Sequence, residues 1–315
     1  MFDTLAQQLV NGLTLGALYG LIAVGYTVVY GIVQLINFAH GEIFMMGAFG
    51  AMTTWLLLGS GKVLAWWMLP IMIVGSVVVA VATALLMERY AYRPLRSAPR
   101  LAPLITAIGV SVALQEAVRL FYGQVPGFPD AKRNVPFPEI EGVSGPALEL
   151  GGVVIQRSSI FVLVALVVCT AGLWWFVNRT AMGRAMQATS QDPDTARLMG
   201  IDVDKVIMVA FAVGATLAAV AGVAHGLRYT YIDFRMGFLA GMKAFTAAVL
   251  GGIGNVNGAV LGGLVLGVVE ALATALIPGQ LGGSSWKDVW AFVLLILVLV
   301  FRPQGLLGAK TVERA

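Results

Sequence analysis

Apolar residues run through this chain in nine blocks broken by short polar stretches: roughly 8–33, 36–58, 63–87, 101–122, 158–177, 205–227, 238–253, 257–277 and 287–302. A helix needs about 20 apolar residues to cross the ~30 Å hydrocarbon layer of a bilayer, and most of the blocks approach or exceed that length. In hydrocarbon every backbone polar group must be paired within the protein, which favours helices over open strands. The pattern predicts an all-α, polytopic transmembrane helical bundle of about eight to nine spans, occupying 1–315 as a single domain. The second, fourth and seventh blocks carry charge or sit at the minimum length. They are the candidates for broken or re-entrant helices.

Composition agrees with this pattern. Hydrophobic residues make up 59% of the chain and charged residues 11%, whereas a soluble domain carries about twice that charge. The 38 glycines would weaken soluble helices, but in membrane helices small residues let backbones approach closely. The one cysteine, Cys169, lies in an apolar run and excludes an internal disulfide framework or a Cys-based zinc site. The net charge of +4 is scattered among apolar spans, without the basic patch that nucleic-acid binding needs. The first basic residue is Lys62, so the opening stretch lacks the basic start of a signal peptide and reads as the first span.

The polar connections set orientation. Arg89, Arg93, Arg96 and Arg100 face a single acid, Glu88, between the third and fourth blocks; Arg179, Arg184, Arg197 and Lys205 lie between the fifth and sixth; Arg302, Lys310 and Arg314 lie in the tail. The positive-inside rule puts all three segments in the cytoplasm. The 123–157 loop balances Asp130, Glu139, Glu141 and Glu149 against Lys132, Arg133 and Arg157, and belongs outside. Nine spans satisfy this pattern with the N-terminus outside and the C-terminus inside. Eight would need one re-entrant segment or a different N-terminal side. Prolines and glycines at 126–130 and 135–139 exclude a long helix from the external loop. That loop is either a plain connector or a docking surface.

The cytoplasmic loop 183–203 contains a short helix by its own signals. Asp192 suits the N-cap, Pro193 the first helical position, Asp194 the positive helix end and Gly200 the left-handed stop; Asp202 caps the next span. A helix this short needs something to pack on. Ala196, Leu198 and Met199 offer apolar contacts, either to the rest of the chain or to a groove on a motor subunit. No motor is encoded here. The glycine-rich stretches at 237–245 and 251–258 lack the Lys-Ser/Thr ending of a nucleotide-binding loop, and Asn255 and Asn257 mark the second as a turn between spans.

Charge inside the apolar blocks is the other chemical signal, because an ionisable group in hydrocarbon needs a partner or a cavity. Asn37, His40 and Glu42 cluster beside Gly41 and Gly47. They form either a hydrogen-bonded structural knot or a broken helix lining a path. His225 is the only other histidine, so no metal-ligand spacing arises. Glu116 and Arg119 are spaced to pair on one helix face. Lys243 and Glu270 can pair with each other or with Glu42. Glycines four apart at 12/16/20, 222/226, 258/262 and 263/267 predict close helix crossings. The stretches 37–48 and 236–247 share glycines and a charge in an apolar span, a faint internal repeat.

Four segments together resemble a known family: GLTLGALYGLIAVGYTVVYGIVQLINFAHGEIFMMGAF (12–49), ERYAYRPLRS (88–97), MGRAMQATSQDPDTARLMGI (182–201) and GFLAGMKAFTAAVLGGIGNVNGAVLGG (237–263). They are similar to the branched-chain amino-acid ABC transporter permeases of the LivH type, and the likeness runs from about residue 8 to 308. The resemblance implies a multi-pass subunit of the bacterial inner membrane that moves leucine, isoleucine or valine by alternating access. It implies a second related permease, two cytoplasmic ATPase subunits and a periplasmic amino-acid-binding protein as partners. No cofactor and no catalytic residue are expected in this chain. The coupling helix to the ATPase would comprise Asp192, Pro193, Asp194, Ala196, Arg197, Leu198, Met199 and Gly200. The candidate translocation path comprises Asn37, Phe38, His40, Gly41, Glu42, Met46, Gly241, Lys243 and Phe245. Related permeases serve urea, short amides or other amino acids, which are the alternative substrates. An ion-coupled secondary transporter, with Glu42 or Glu270 as its buried carboxylate, is the rival mechanism.

Overall fold

The computed structural model describes residues 2–34, 37–59, 64–96, 98–99, 101–132, 134–277, 279, 283 and 286–308. Lys62, Ser97, Arg100, Arg133, Lys310 and Arg314, which figure in the patterns above, lie outside the described residues. Each of the nine apolar blocks forms one helix: α1 (Phe2–Val33), α2 (His40–Leu58), α3 (Met68–Met87), α4 (Leu101–Phe121), α5 (Arg157–Arg179), α8 (Val203–Tyr229), α9 (Met236–Gly251), α10 (Val256–Leu276) and α11 (Lys287–Phe301). Seven of them are long and apolar enough to cross a membrane; α9 and α11, at 16 and 15 residues, are shorter. Between α5 and α8 lie two small helices, α6 (Ala181–Gln191) and α7 (Pro193–Leu198).

The helices form two layers. α1, α2 and α8 are the inner ones: in their most apolar windows 83%, 61% and 67% of residues are buried, against 28%, 22% and 22% for α3, α4 and α5. Small residues decide which helices go inside. Along the antiparallel α1–α10 seam, a Cβ on Gly12 would lie 2.8 Å from Val268 Cα, and one on Gly16 would lie 2.7 Å from Leu264 Cα. A Cβ on Gly263 would lie 2.6 Å from Gly20 Cα. The predicted glycine stripe is therefore a backbone-to-backbone contact that no larger residue permits. Gly222 of α8 meets Phe44 and Ala48 of α2 in the same way, and Gly262 meets Ala247 of α9.

Short strands supplement the helices. The loop after α4 carries β1 (Val135–Pro136), which pairs with β4 (Tyr231–Ile232), and the antiparallel hairpin of β2 (Pro146–Leu150) and β3 (Val153–Gln156). Hydropathy blocks gave no sign of this hairpin. It sits beside the start of α1, where the Gln7 side chain exchanges two hydrogen bonds with the Val154 backbone, at 2.7 and 3.1 Å. One face of the molecule thus holds the 123–157 loop and the start of α1. The opposite face holds α6 and α7. Exposed tryptophans flank the outer helices near both faces, Trp66 and Trp67 before α3 and Trp174 and Trp175 late in α5, as in interfacial aromatic belts.

The 251–258 turn joins α9 to α10. Gly252 has φ +104°, a conformation that other residues strongly disfavour. Asn255 caps α10 by accepting from the Gly258 amide at 3.2 Å, and its side-chain amide donates to the Leu307 carbonyl at 2.9 Å. The tail from α11 therefore closes over this turn.

Candidate functional site

Functional geometry is spread over three levels along α1. At the face that carries α6 and α7, Asp192 caps α7 by accepting from the amides of Asp194 and Thr195 at 2.9 and 3.2 Å. The Thr195 hydroxyl and these two amides hold the Asp192 carboxyl below its ordinary range. Gly200 stops the helix at φ +83°, and Asp202 caps α8 through the Lys205 amide at 3.1 Å. With Pro193 and Asp194 in the first turn of α7, all five local signals of the sequence stand where they were expected. The apolar residues divide differently from expectation. Ala196 is 4% exposed and anchors α7, whereas Leu198 and Met199 are 88% and 78% exposed and touch little of this chain. α6 was not drawn from the sequence. Thr180 caps it through the Gly183 amide at 3.0 Å, and its polar composition hid it from a search for apolar blocks.

An ion network fastens this face. Asp204 at the start of α8 pairs with Arg93 and with Arg96, the latter at 2.5 Å, and Arg96 also pairs with buried Glu88. A cavity of about 470 Å³ opens here, lined by the end of α1 (Tyr30 to Gln34), Arg96, Pro103, Thr189, Pro193 and Arg197. α7 therefore stands at the rim of an opening that reaches the end of α1.

The middle level is nearly closed. The slot lined by Tyr26, Thr27, Tyr30, Asn37, Phe245 and Ala248 holds about 10 Å³, roughly the space of one water. The predicted path residues meet around it only in part. Asn37 Oδ1 accepts from the Tyr92 hydroxyl at 2.6 Å and from the Ala39 amide at 3.0 Å. Phe38 packs on Phe245, with ring centroids 5.4 Å apart, and His40 packs edge-on against Tyr26 at 4.6 Å. Gly41 and Gly241 form the α2–α9 crossing, where a Cβ on either would lie within 2.9 Å of the other's Cα. Thus the two stretches of the faint repeat pack directly on each other. Glu42 turns away to α4 and accepts from Ser111 and Gln115, each at 2.8 Å. Met46 packs in a separate apolar cluster with neighbours on α2, α3 and the 123–157 loop. Neither Glu42 nor Met46 lines a described cavity, because α2 presents both to neighbouring helices.

The third level is a cavity of about 600 Å³ under the 123–157 loop, walled by α1, α8, α9, α10 and α11. Lys243, the remaining path residue, lies here. Its Nζ reaches Glu270 Oε1 at 2.8 Å, Asp288 Oδ1 at 2.5 Å and the Tyr19 hydroxyl at 3.1 Å. The Lys243–Glu270 pair was one of the expected alternatives, and pairing with Glu42 was the other. Asp288 and Tyr19 were missed, since they come from the two ends of the chain. Glu116 and Arg119 pair as their spacing predicted, on the exposed side of α4. Among the described residues no group of three or more His, Cys, Asp or Glu is placed to hold a metal.

Comparison with known proteins accounts for this architecture. The family model for the branched-chain amino acid transport system permease component matches residues 8–299. The chain is 46% identical to the high-affinity branched-chain amino acid transport system permease protein BraD of Pseudomonas aeruginosa, over 98% of this chain and 97% of that one. It is 43% identical to LivH, the corresponding permease protein of Escherichia coli, over the same shares. Among solved structures, a chain of the PsaBC–Fab complex from Streptococcus pneumoniae superposes with a TM-score of 0.50 over 93% of this chain and 91% of that one, at 12% identity. That likeness concerns the fold alone. With the match spanning nearly every helix of the bundle, this multi-pass membrane protein belongs to the family of branched-chain amino acid transport system permease components.

Proposed function

We propose that this chain is one of two membrane-spanning subunits of an ATP-driven importer that carries leucine, isoleucine and valine across the bacterial inner membrane. A related second permease completes the membrane part, two cytoplasmic ATPase subunits drive it, and a periplasmic binding protein delivers the amino acid. The names of the relatives support the substrate class. Arg89, Arg93, Arg96, Arg179, Arg184, Arg197 and Lys205 support a cytoplasmic position for the face that carries α7, with the N-terminus outside.

One observation carries this reading. A six-residue helix cannot hold itself together, and α7 is fixed by its cap and by buried Ala196 while presenting Leu198 and Met199 to the outside. Two adjacent large apolar residues, bare at the tip of a rigid cytoplasmic helix, suit a groove on another protein. α7 also borders the cavity at the end of α1, so a push on it would reach the path. In this mechanism ATP binding draws the motor subunits together, α7 moves as a lever, and the narrow slot at Tyr26, Asn37 and Phe245 opens between the two cavities. Gly41 and Gly241 give α2 and α9 a smooth crossing on which to slide. This chain moves substrate and makes or breaks no covalent bond.

The test is ATP hydrolysis by the complete complex in proteoliposomes with leucine-loaded binding protein. Leu198→Glu combined with Met199→Glu should abolish the stimulation while assembly of the membrane subunits is retained, because both side chains are exposed. Ala196→Glu is a poor probe, since it would drive a charge into a buried position. Leucine uptake that needs no ATP, and that the double variant leaves intact, would instead establish an ion-coupled transporter.

A further inference from the structure

The charges around the outer cavity are more than a structural ion pair requires. A lock between helices needs one cation and one anion. Here Lys243 of α9 faces two carboxylates, Glu270 of α10 and Asp288 of α11, so one negative charge is in excess. Glu270 is well satisfied: Oε1 accepts from Lys243 and Oε2 from the Tyr19 hydroxyl at 3.1 Å. Asp288 is more open: its Oδ1 pairs with Lys243 Nζ at 2.5 Å, while its side chain stays 40% exposed.

The opposite imbalance lies elsewhere on the same cavity wall. Arg228, near the end of α8, donates only to the amide oxygens of Gln156 and Asn11, at 2.8 and 3.5 Å. Arg235, before α9, stacks over the Phe234 ring at 5.0 Å. Among the described residues neither guanidinium has a carboxylate at ion-pair distance. Asp233 and Lys287 also line the cavity, and Asp233 accepts from the Arg235 backbone amide at 2.6 Å. The rest of the wall mixes apolar Leu18, Ile22, Phe44 and Met236 with Tyr19, His225 and Tyr229.

We propose that this cavity is a binding site for a free amino acid in its zwitterionic form, with Asp288 receiving the ammonium, Arg228 the carboxylate and the apolar part of the wall an aliphatic side chain. The volume of about 600 Å³ fits a small ligand with its water. Excess charge of each sign, held in one cleft on separate helices, is the arrangement that a zwitterion satisfies and a single ion does not. The site gives a released amino acid somewhere to rest before the slot opens. It rests on the import reading above, and it adds selectivity within the permease itself.

The experiment measures equilibrium binding to the complete transporter without its binding protein, using three probes: leucine, 4-methylpentanoate, which lacks the ammonium, and 3-methylbutylamine, which lacks the carboxylate. Asp288→Asn should weaken leucine and the amine by about tenfold or more and spare the acid. Arg228→Gln should weaken leucine and the acid and spare the amine. This crossed pattern cannot come from misfolding, which would lower all three together. Wild-type transporter that binds none of the probes, or variants that lose all three alike or none, would overturn the site. Binding-protein-driven leucine uptake by the wild type is read separately. Its absence refutes the import reading, whereas uptake that both variants leave undiminished refutes the site alone.

Discussion

The inner helices α1, α2 and α8 and the outer helices α3, α4 and α5 differ in a way hydropathy conceals. Mean hydropathy is 1.7, 1.3 and 2.4 for the inner three and 2.5, 1.6 and 2.5 for the outer three, so the more buried helices are no more apolar. Against lipid an apolar residue loses nothing by facing outward, and burial therefore follows fit instead of hydrophobicity. Gly12 and Gly16 of α1, Gly41 and Gly47 of α2 and Gly222 of α8 face backbone, while Gly109 of α4 and Gly172 of α5 would meet nothing within 4 Å if given a Cβ. Charge follows the same division. Lys243 and Glu270 are sealed between α9 and α10, with side chains 6% and 3% exposed, whereas Glu116 and Arg119 pair on an open face at 44% and 37%.

The largest effect expected from this contrast is at Lys243. Lys243→Met strands Glu270 without a cation, and breaking a buried pair costs roughly 3–5 kcal/mol. Thermal denaturation of the purified complex should show a large drop, restored in part by adding Glu270→Gln. The same change at Arg119 should cost at most ~1 kcal/mol, as for exposed pairs. Equal losses at the two sites would erase the distinction between layers.

Next in size is a substitution whose sign should reverse between layers. Gly263→Ala forces α1 and α10 apart and should destabilise by about 1–3 kcal/mol. Gly172→Ala meets open space within a helix and should stabilise by roughly 0.5–1 kcal/mol. A destabilising Gly172→Ala in the assembled transporter, but not in the separate subunit, would locate a partner helix against α5.

The smallest effect belongs to α7, outside both layers. Because the folded-state pKa of Asp192 is lowered, its cap is fully formed above the ordinary aspartate pKa and is lost as pH falls through the depressed folded value. Amide exchange at 194–196 should stay protected across neutral pH and weaken only in strong acid. Loss of protection near pH 6 would contradict the capping geometry.

The sequence by itself determined the elements. Nine apolar blocks became nine helices because the hydrocarbon layer leaves the backbone no other means of pairing its polar groups. The cap at Asp192, the stop at Gly200 and the i,i+3 pair at Glu116 were legible because local geometry alone fixes them. The family was legible because its motifs are continuous in the chain. The tertiary structure decided what lies side by side. Lys243 had two candidate partners in sequence, Glu270 and Glu42, and only packing brought Tyr19, Glu270 and Asp288 to it from residues far apart in the chain. Met46 follows Glu42 by about one helical turn, and only packing shows that it joins the separate cluster with α3 and the 123–157 loop. Sequence also supplied Leu198 without its exposure. Whether an apolar residue anchors its own chain or waits for another protein depends on what surrounds it, and that is set only when the helices have packed.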